Sequence, residues 1–302
     1  MYWNDLNTHL KRQYGCKVYK LALSSGCSCP NRDGTLGVRG CIFCDGAGAF
    51  AEAGDIPAQL AAARQRVAAK AGQGAKYIAY FQSFTNTYGD PAHLRKLFQA
   101  AIEPEDVAIL SIATRPDCLG PEISELLAEL NRVKPVWVEL GLQTIHPASA
   151  AYIRRGYDLP VFDAAVKRLK AIGVRVIVHQ ILGLPGETPE MMAQTSRYIG
   201  QAGVDGVKLH LLHVLQNTDL AAEWQAGRVQ TLELPEYIAA LELCLQNLPP
   251  EVVIHRLTGD GAKRDLLAPL WSGDKKRVLN AIRRAFERDD LVQGSALSAA
   301  CE

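Results

Sequence analysis

Apolar and polar positions follow one another in blocks that predict strands separated by helices. Strand-like runs rich in β-branched residues occupy residues 17–24, 76–82, 107–114, 136–143, 174–182 and 204–215. Apolar residues at helical spacing occupy residues 56–71, 91–101, 121–131, 161–172, 189–202 and 236–247. This alternation predicts βαβ units around a parallel sheet. We therefore expect an α/β fold, barrel-like or open and curved, with active-site loops at the carboxyl ends of its strands.

The pattern changes after residue 250. A further strand-like run covers residues 251–258, and residues 262–288 carry eight Lys or Arg against three Asp or Glu. We predict a core domain over residues 1–250 and a basic C-terminal extension over residues 251–302. The extension should be mostly helical from about residue 275.

The overall composition says more about the cellular compartment of the protein than about its function. The 302 residues are 48% hydrophobic, and 33 basic residues nearly balance 32 acidic ones, which gives no global attraction to nucleic acid or to acidic membranes. The first residues lack the apolar segment of a signal peptide, and no run is long enough to span a membrane. We predict a cytoplasmic protein with reduced thiols and no membrane partner.

Four of the eight cysteines, at positions 27, 29, 41 and 44, lie in a loop that follows the first predicted strand. Thiolates bind iron–sulfur clusters, and a cubane cluster normally takes four of them. Three thiolates would leave one iron open to chelation by a ligand such as S-adenosylmethionine (SAM). A zinc site that uses all four cysteines is the alternative, and the spacing alone does not decide between them.

Polar residues also occupy positions where a barrel should have its core. Strand alternation places Glu139 and Gln143 on one face of the fourth strand and Lys208 and His210 on one face of the sixth. Buried polar groups are costly unless they are paired, so we predict a ligand-binding interior. Its members are Gln82, Glu139, Gln143, His179, Lys208 and His210. Taken singly, each of them also fits a solvated strand end or a paired core residue.

The turn at residues 183–187, Gly-Leu-Pro-Gly-Glu, lets a flat ligand approach the backbone because glycine lacks a Cβ. An ordinary strand-to-helix turn is the alternative. Of the scattered cysteines, Cys118 lies beside a strand end and is a candidate for the site. Cys244 is predicted to belong to the core, and Cys301 lies in a tail.

In combination, these segments resemble the radical SAM superfamily in its variant with a long first cysteine spacing, Cys29-x11-Cys41-x2-Cys44. Residues 113–119, 138–144 and 179–187 resemble the third-, fourth- and fifth-strand motifs. Residues 208–213 and 253–260 narrow the similarity to the YhcC/YtqA-type subgroup, over roughly residues 10–290. The sequence departs from the pattern at Cys16 and Cys27, which are extra thiols, and at residues 82–87, where Gly-Gly-Glu is usual.

The resemblance implies a partial (β/α)6 TIM-like barrel with two cofactors, a [4Fe–4S] cluster and SAM. The implied cluster ligands are Cys29, Cys41 and Cys44. The implied SAM-binding residues are Phe43, Gln82, Glu139, Gln143, His179, Ile181, Gly183, Leu184 and Pro185. Reductive cleavage of SAM would give a 5′-deoxyadenosyl radical that abstracts hydrogen from the substrate. An electron donor such as flavodoxin or ferredoxin is implied as a partner, and Lys208, His210 and Cys118 are the catalytic candidates.

The resemblance also suggests a substrate. The cysteine spacing is similar to that of the elongator catalytic subunit, and the subgroup resembles enzymes of the MnmL kind, which remodel wobble-uridine side chains in tRNA. The basic extension offers phosphate contacts at Lys263, Arg264, Lys275, Lys276, Arg277, Arg283 and Arg284. A solvated helix face explains those charges equally well. Two other hypotheses stay open: an oxidoreductase acting on a small metabolite, and a zinc-stabilised binding module without catalysis.

Overall fold

Seven parallel strands form the main sheet of the protein in a computed structural model that describes residues 2–46, 54–259 and 263–298. The sheet strands are β1 (Val18–Leu23), β2 (Lys76–Phe81), β3 (Val107–Thr114), β4 (Val136–Gln143), β5 (Arg175–Leu182), β6 (Gly206–Leu211) and β8 (Val253–Arg256). They lie in the order β1-β2-β3-β4-β5-β6-β8, so the first six strands follow their order in the chain and β8 lies beside β6. Two short strands, β7 (Val214–Leu215) and β9 (Leu266–Ala268), pair antiparallel with each other outside this sheet.

Eleven α-helices lie within the described residues. They are α1 (Leu6–Tyr14), α2 (Ile56–Val67), α3 (Pro91–Ile102), α4 (Pro121–Val133), α5 (Pro147–Tyr152), α6 (Leu159–Ala171), α7 (Pro189–Gln201), α8 (Asp219–Gln225), α9 (Leu234–Gln246), α10 (Lys275–Arg288) and α11 (Ser295–Ser298). Asp55, Asp90 and Thr188 accept N-cap hydrogen bonds, and each precedes a helix with proline in its first turn. No helix in the described ranges has the length and hydrophobicity needed to cross a membrane.

The predicted α/β partial barrel is confirmed, with one strand more than the six expected. The run at residues 251–258 contains β8, which pairs with β6 through Gly206 and Val253. The division of the chain into a core and an extension at residue 250 stays a prediction. Strands on both sides of that residue, β6 and β8, belong to one sheet. Asp260 of the subgroup motif and Cys301 lie outside the described residues.

The barrel is open on one side. Strands β1 and β8 are the two edges of the sheet, and an isolated β-bridge between Asp5 and Ile254 joins the start of α1 to β8. Helix α1 closes the amino-terminal end of the interior, where Leu10 is 2% exposed. It packs there in one apolar cluster with Val18, Ile78 and Trp137. Burying a leucine in this way contributes about 1.5–3 kcal/mol.

Candidate active site

The carboxylate of Glu139 lies at the centre of the barrel interior. Glu139 on β4 forms an ion pair with Nζ of Lys208 on β6, and neither side chain has any exposed surface. Lys208 also donates to the hydroxyl of Tyr80 on β2 over 2.8 Å, and that hydroxyl donates to Glu139 Oε2 over 3.0 Å. The three side chains close a small ring of hydrogen bonds. A buried charge is tolerated when its hydrogen-bonding sites are filled in this way.

Two further hydrogen bonds and a second ion pair complete the surroundings of this carboxylate. Nε2 of His179 on β5 lies 2.7 Å from Oε2, and the hydroxyl of Ser111 on β3 donates to Oε1 over 2.9 Å. Nζ of Lys20 on β1 is 3.9 Å from Oε1. Glu139 therefore connects β4 with five other strands, and none of its surface is left for direct contact with a ligand.

Electrostatic interactions and burial set the protonation states of Glu139 and His179 in this interior. Burial opposes ionisation of Glu139, but Lys208 and Lys20 outweigh it and hold the pKa of the carboxyl well below its usual range. Because this pKa is lower in the folded than in the unfolded protein, the carboxylate stabilises the fold at neutral pH. That contribution is lost as the pH falls through the unfolded pKa of about 4.3 and towards the folded one. Burial and Lys208 lower the pKa of His179 to about 4, so this imidazole is neutral and donates through Nε2.

His210 extends the polar interior along β6. Its ring centroid lies 5.0 Å from that of His179. Burial and the neighbouring His179 lower the pKa of His210 well below its usual range, so it is neutral. Its Nε2 atom is buried without a hydrogen-bond partner within the described residues. This orphaned atom is a polar contact that a bound molecule or a water could satisfy.

The cysteine loop is organised by an arginine and two glycines. The guanidinium of Arg32 lies between Gly40 and Gly46, where a Cβ on either glycine would come within 2.8 Å of it. Both glycines have positive φ, 73° and 69°, which side chains other than glycine rarely adopt. Nη2 of Arg32 donates to the carbonyl of Cys44 over 2.5 Å. Arg32 thus connects Cys44, near the end of the loop, to the segment that follows Cys29.

Asn31 joins this loop to the far side of the barrel mouth. Its side-chain amide donates to the carbonyl of Arg154 over 2.8 Å and lies 3.6 Å from the sulfur of Cys41. Its own carbonyl accepts the N–H of Gly40 over 2.7 Å. Asn31, two residues after Cys29, therefore positions the thiol of Cys41, ten residues later in the chain.

Cys29, Cys41 and Cys44 lie close enough together to interact electrostatically. Burial and the neighbouring Cys44 raise the pKa of the Cys41 thiol to about 11, and Cys29 adds to this rise. Such a thiol becomes a thiolate when a metal charge compensates it. Over residues 2–46, 54–259 and 263–298, no three His, Cys, Asp or Glu side chains lie close enough to bind one metal ion. A cubane cluster binds each thiolate to a different iron and spaces its ligands farther apart.

Cys27, the extra thiol of the loop, has different surroundings. Its sulfur lies 3.3 Å from the position that a Cβ on Gly89 would take, beside Leu94 of the core. Burial raises the pKa of this thiol as well. Cys27 therefore packs as an apolar side chain against α3.

An apolar wall brings the cysteine loop to the end of β5. Phe43 packs against a buried cluster that contains Ile181, Leu184 and Leu212. Gly183 has φ of 86°, and a Cβ there would meet Leu232 at 3.0 Å. The sequence analysis predicted that one ligand, SAM, contacts Phe43, Ile181, Gly183 and Leu184. The structure brings these four residues together. Pro185 is half-buried in the same turn.

The remaining candidates lie at strand ends. Gln143, the last residue of β4, has φ of 68°, and its Nε2 is 2.9 Å from the position of a Cβ on Gly141. Gln82 is half-buried directly after β2. Cys118 lies in the turn after β3 and lines a cleft of about 530 Å³ that also contains Tyr88. Burial and Asp117 raise the pKa of Cys118 to about 12, so this thiol is protonated at neutral pH.

Sequence reasoning missed the residues that support the cysteine loop from the opposite side. Arg155 donates to the carbonyls of Leu142 and Thr144 over 3.2 and 2.6 Å, and Arg115 donates to the carbonyl of Arg155 over 2.9 Å. Both guanidinium groups lie over the ring of Tyr157, 4.7 and 5.2 Å from its centroid. The adjacent arginines flanked by tyrosines at residues 152–157 were the available signal. Strand alternation from Val18 could likewise have revealed Lys20.

Comparison with known proteins decides the family. The profile of the Radical SAM superfamily matches residues 32–199, and that of the Radical_SAM C-terminal domain matches residues 204–288. The chain belongs to the radical SAM superfamily. Radical SAM proteins use a [4Fe–4S] cluster and SAM, which confirms the expected cofactors. This membership makes the protein an enzyme, so the zinc-stabilised module without catalysis is not retained.

The similarity extends to relatives of the predicted subgroup. The chain is 41% identical to the uncharacterized protein YtqA of Bacillus subtilis (strain 168), covering 97% of this chain and 92% of that protein. It is 37% identical to protein YhcC of Escherichia coli (strain K12), covering 97% and 95%. It is 29% identical to tRNA uridine(34) acetyltransferase of Methanocaldococcus jannaschii, covering 50% of this chain and 28% of that enzyme.

A solved structure shares the fold. The archaeal Elp3 of Methanocaldococcus infernus, with its N-terminus deleted, matches with a TM-score of 0.70 at 18% identity. The match covers 91% of this chain and 64% of that chain, so the radical SAM protein described here spans about two thirds of the Elp3 structure. At this identity the likeness concerns the partial barrel alone.

The buried ion pair gives a stability prediction. Lys208→Met leaves the Glu139 carboxylate buried without its main counter-charge, and we expect the free energy of unfolding to fall by about 3–5 kcal/mol. Glu139→Gln combined with Lys208→Met removes both charges and should recover most of that loss. Urea unfolding of the protein without its cofactors, followed by circular dichroism, measures the difference.

Lys170→Met is the matched control for this experiment. Lys170 pairs with Asp205 over 2.9 Å at the surface, where it is 40% exposed. Surface ion pairs contribute about 0–1 kcal/mol, so this variant should lose less than about 1 kcal/mol. A loss for Lys208→Met no greater than that for Lys170→Met would show that the interior pair does not carry the stability assigned to it.

Proposed function

We propose that this radical SAM enzyme modifies the side chain of the wobble uridine in tRNA. The observation that carries the proposal is the sequence similarity to tRNA uridine(34) acetyltransferase, which covers half of this chain. The basic C-terminal helix supports it, because Lys and Arg on an exposed face are suited to RNA phosphates. We propose that the reaction on the uridine is of the oxidoreductase or the transferase type.

Cys29, Cys41 and Cys44 are the proposed ligands of the cluster. Their thiols share one loop, and the sulfur of Cys27 packs against the core beside Gly89 and Leu94. When bound, the cluster supplies an electron that cleaves SAM and releases a 5′-deoxyadenosyl radical, which abstracts hydrogen from the substrate. A one-electron donor such as flavodoxin or ferredoxin delivers that electron. The free thiols of the described residues support a reducing, cytoplasmic setting.

The apolar wall and the glycine turn are the proposed SAM pocket. Phe43, Ile181 and Leu184 offer a flat apolar surface for the adenine, and Gly183 allows the ligand to approach the backbone. Gln82 and Gln143 supply amides for the polar part of SAM. Pro185 contributes to the turn that holds this wall in place.

Glu139 and His179 act together in this proposal. Glu139 has no exposed surface, so it acts through His179, which it holds in one tautomer, rather than through contact with SAM. The side chain of His179 is 18% exposed and can reach a ligand. Lys208 is fully buried and positions the same carboxylate, while His210 is the better catalytic candidate because its Nε2 lacks a partner in the part of the chain described.

A small metabolite is the second candidate substrate. The net charge of +1 favours it, since RNA-binding proteins generally carry a larger basic excess. The two candidate substrates would give different products, so one experiment distinguishes between the two substrates.

The cluster ligands are tested by single substitutions. Cys41→Ala or Cys44→Ala removes one of three thiolates, and we expect little bound iron and no SAM cleavage. Cys27→Ala is the matched control and should keep both, because that sulfur packs against the core. Iron analysis and visible absorbance after anaerobic reconstitution measure the effect. Iron retained in Cys29→Ala but lost in Cys27→Ala would overturn the assignment.

The SAM pocket is tested at the glycine turn. Gly183→Val forces a branched side chain into a position with φ of 86° and against Leu232, so the turn must move. We expect SAM affinity to fall roughly tenfold, equivalent to about 1.4 kcal/mol, with the cluster absorbance intact. Gly186→Val is the control: its φ is 82°, but nothing lies within 4 Å of its Cβ position. Equal SAM affinities for both variants in equilibrium dialysis would show that the pocket is misplaced.

The substrate is tested by incubating the reconstituted enzyme anaerobically with SAM, a reductant and a panel of tRNAs. Nucleoside mass spectrometry should show a SAM-dependent mass change in the wobble uridine, which Cys44→Ala abolishes. Unchanged nucleosides in every tRNA, with SAM cleavage stimulated by small metabolites, would replace tRNA with a small-molecule substrate.

A further inference from the structure

The open side of the barrel forms a basic cavity of about 740 Å³ between α1, β1, β8 and α10. We call this cavity the seam. Five basic side chains and two acidic ones, Asp5 and Glu287, line it. The basic residues are Lys17, Lys20, Arg256, Lys275 and Arg283.

The seam reaches the polar interior. Lys20 lines the cavity with a side chain that is 25% exposed, and its Nζ lies 3.9 Å from Glu139. The same Nζ lies 4.9 Å from the ring centroid of Tyr80. An anion held in the seam would therefore lie beside the side chains that organise the active site.

Aromatic residues accompany the charges. Tyr2, Trp3 and Tyr19 line the seam, and the hydroxyl of Tyr19 donates to the carbonyl of Lys70, which fixes its ring. Basic side chains beside aromatic rings are what single-stranded nucleic acids bind, through phosphate contacts and base stacking. A small metabolite would require neither the length of this surface nor its several separate cations.

Helix α10 has two basic faces, and only one of them borders the seam. Its buried residues, including Val278, Ile282 and Phe286, fix the rotation of the helix, and the ring of Phe286 packs edge-on against Trp3 with centroids 5.3 Å apart. This rotation places Lys275 and Arg283, two turns apart, along the seam. Lys276, Arg277 and Arg284 line a separate groove beside the start of α9.

We propose that the seam binds the sugar–phosphate backbone of the RNA substrate, with Lys275 and Arg283 contacting phosphates. The opposite basic face of α10 takes no part. This inference rests on the proposed action on tRNA and assigns that substrate to one surface.

Two double variants of the full reconstituted enzyme test this assignment. Lys275→Glu/Arg283→Glu reverses two charges on the seam, and Lys276→Glu/Arg284→Glu reverses two charges on the opposite face of the same helix. The net charge changes equally. We expect tRNA affinity to fall on the order of tenfold in the seam variant, with a salt slope lower by about 1.4. The control variant should stay within about twofold of the unchanged enzyme.

Filter retention of labelled tRNA at several salt concentrations measures both quantities, and iron content with thermal unfolding verifies that both variants fold. If charge reversal prevents folding, Lys275→Gln/Arg283→Gln gives the same comparison. Equal losses in the two variants, or a loss on the opposite face alone, would overturn the seam assignment and leave tRNA as the substrate. An unchanged enzyme that retains no tRNA would remove the proposed function itself.

Discussion

The carboxylate of Glu139 is the interaction on which the arrangement of the barrel depends. Its partners come from strands on both sides of β4, so the sheet must curl for all of them to reach one group. In a flat sheet most of these donors would lie too far away, and the charges would be buried without partners. Buried ion pairs gain little stability over apolar packing, but they are costly to break. We infer that this network specifies the curvature of the sheet.

The network also separates the interior into two parts, one towards α1 and one towards the carboxyl ends of the strands. Below it, α1 closes the barrel with Leu10 and an apolar floor. Above it, the neutral rings of His179 and His210 lie towards the carboxyl ends of the strands, where the cysteine loop begins. A water-poor interior strengthens every electrostatic contact within it, which suits a site that must position a reactive species and shield it.

The cysteine loop achieves order without regular secondary structure. Arg32 donates to the carbonyl of Cys44, and Asn31 donates to the carbonyl of Arg154. Each contact is a side chain satisfying a backbone carbonyl, which a loop needs when it lacks strand or helix partners. The residues directly after Cys29 thus fix the places of Cys41 and Cys44. A cofactor with several ligands depends on such supporting contacts as much as on the ligands.

The sequence by itself determined the family, the alternation of strands and helices, and the types of residue at the site. These features are local: cysteine spacing, glycine turns and alternation in strands such as β4 can be seen without distances. Only the tertiary structure decided which polar residues meet. Glu139 and Lys208 are 69 residues apart in the chain, and no local pattern indicates that they pair. The same reason explains why β8 joined the sheet and why α10 turns two of its cations towards the seam. Strand pairing and helix rotation are set by packing between distant segments, and that packing is a property of the folded chain.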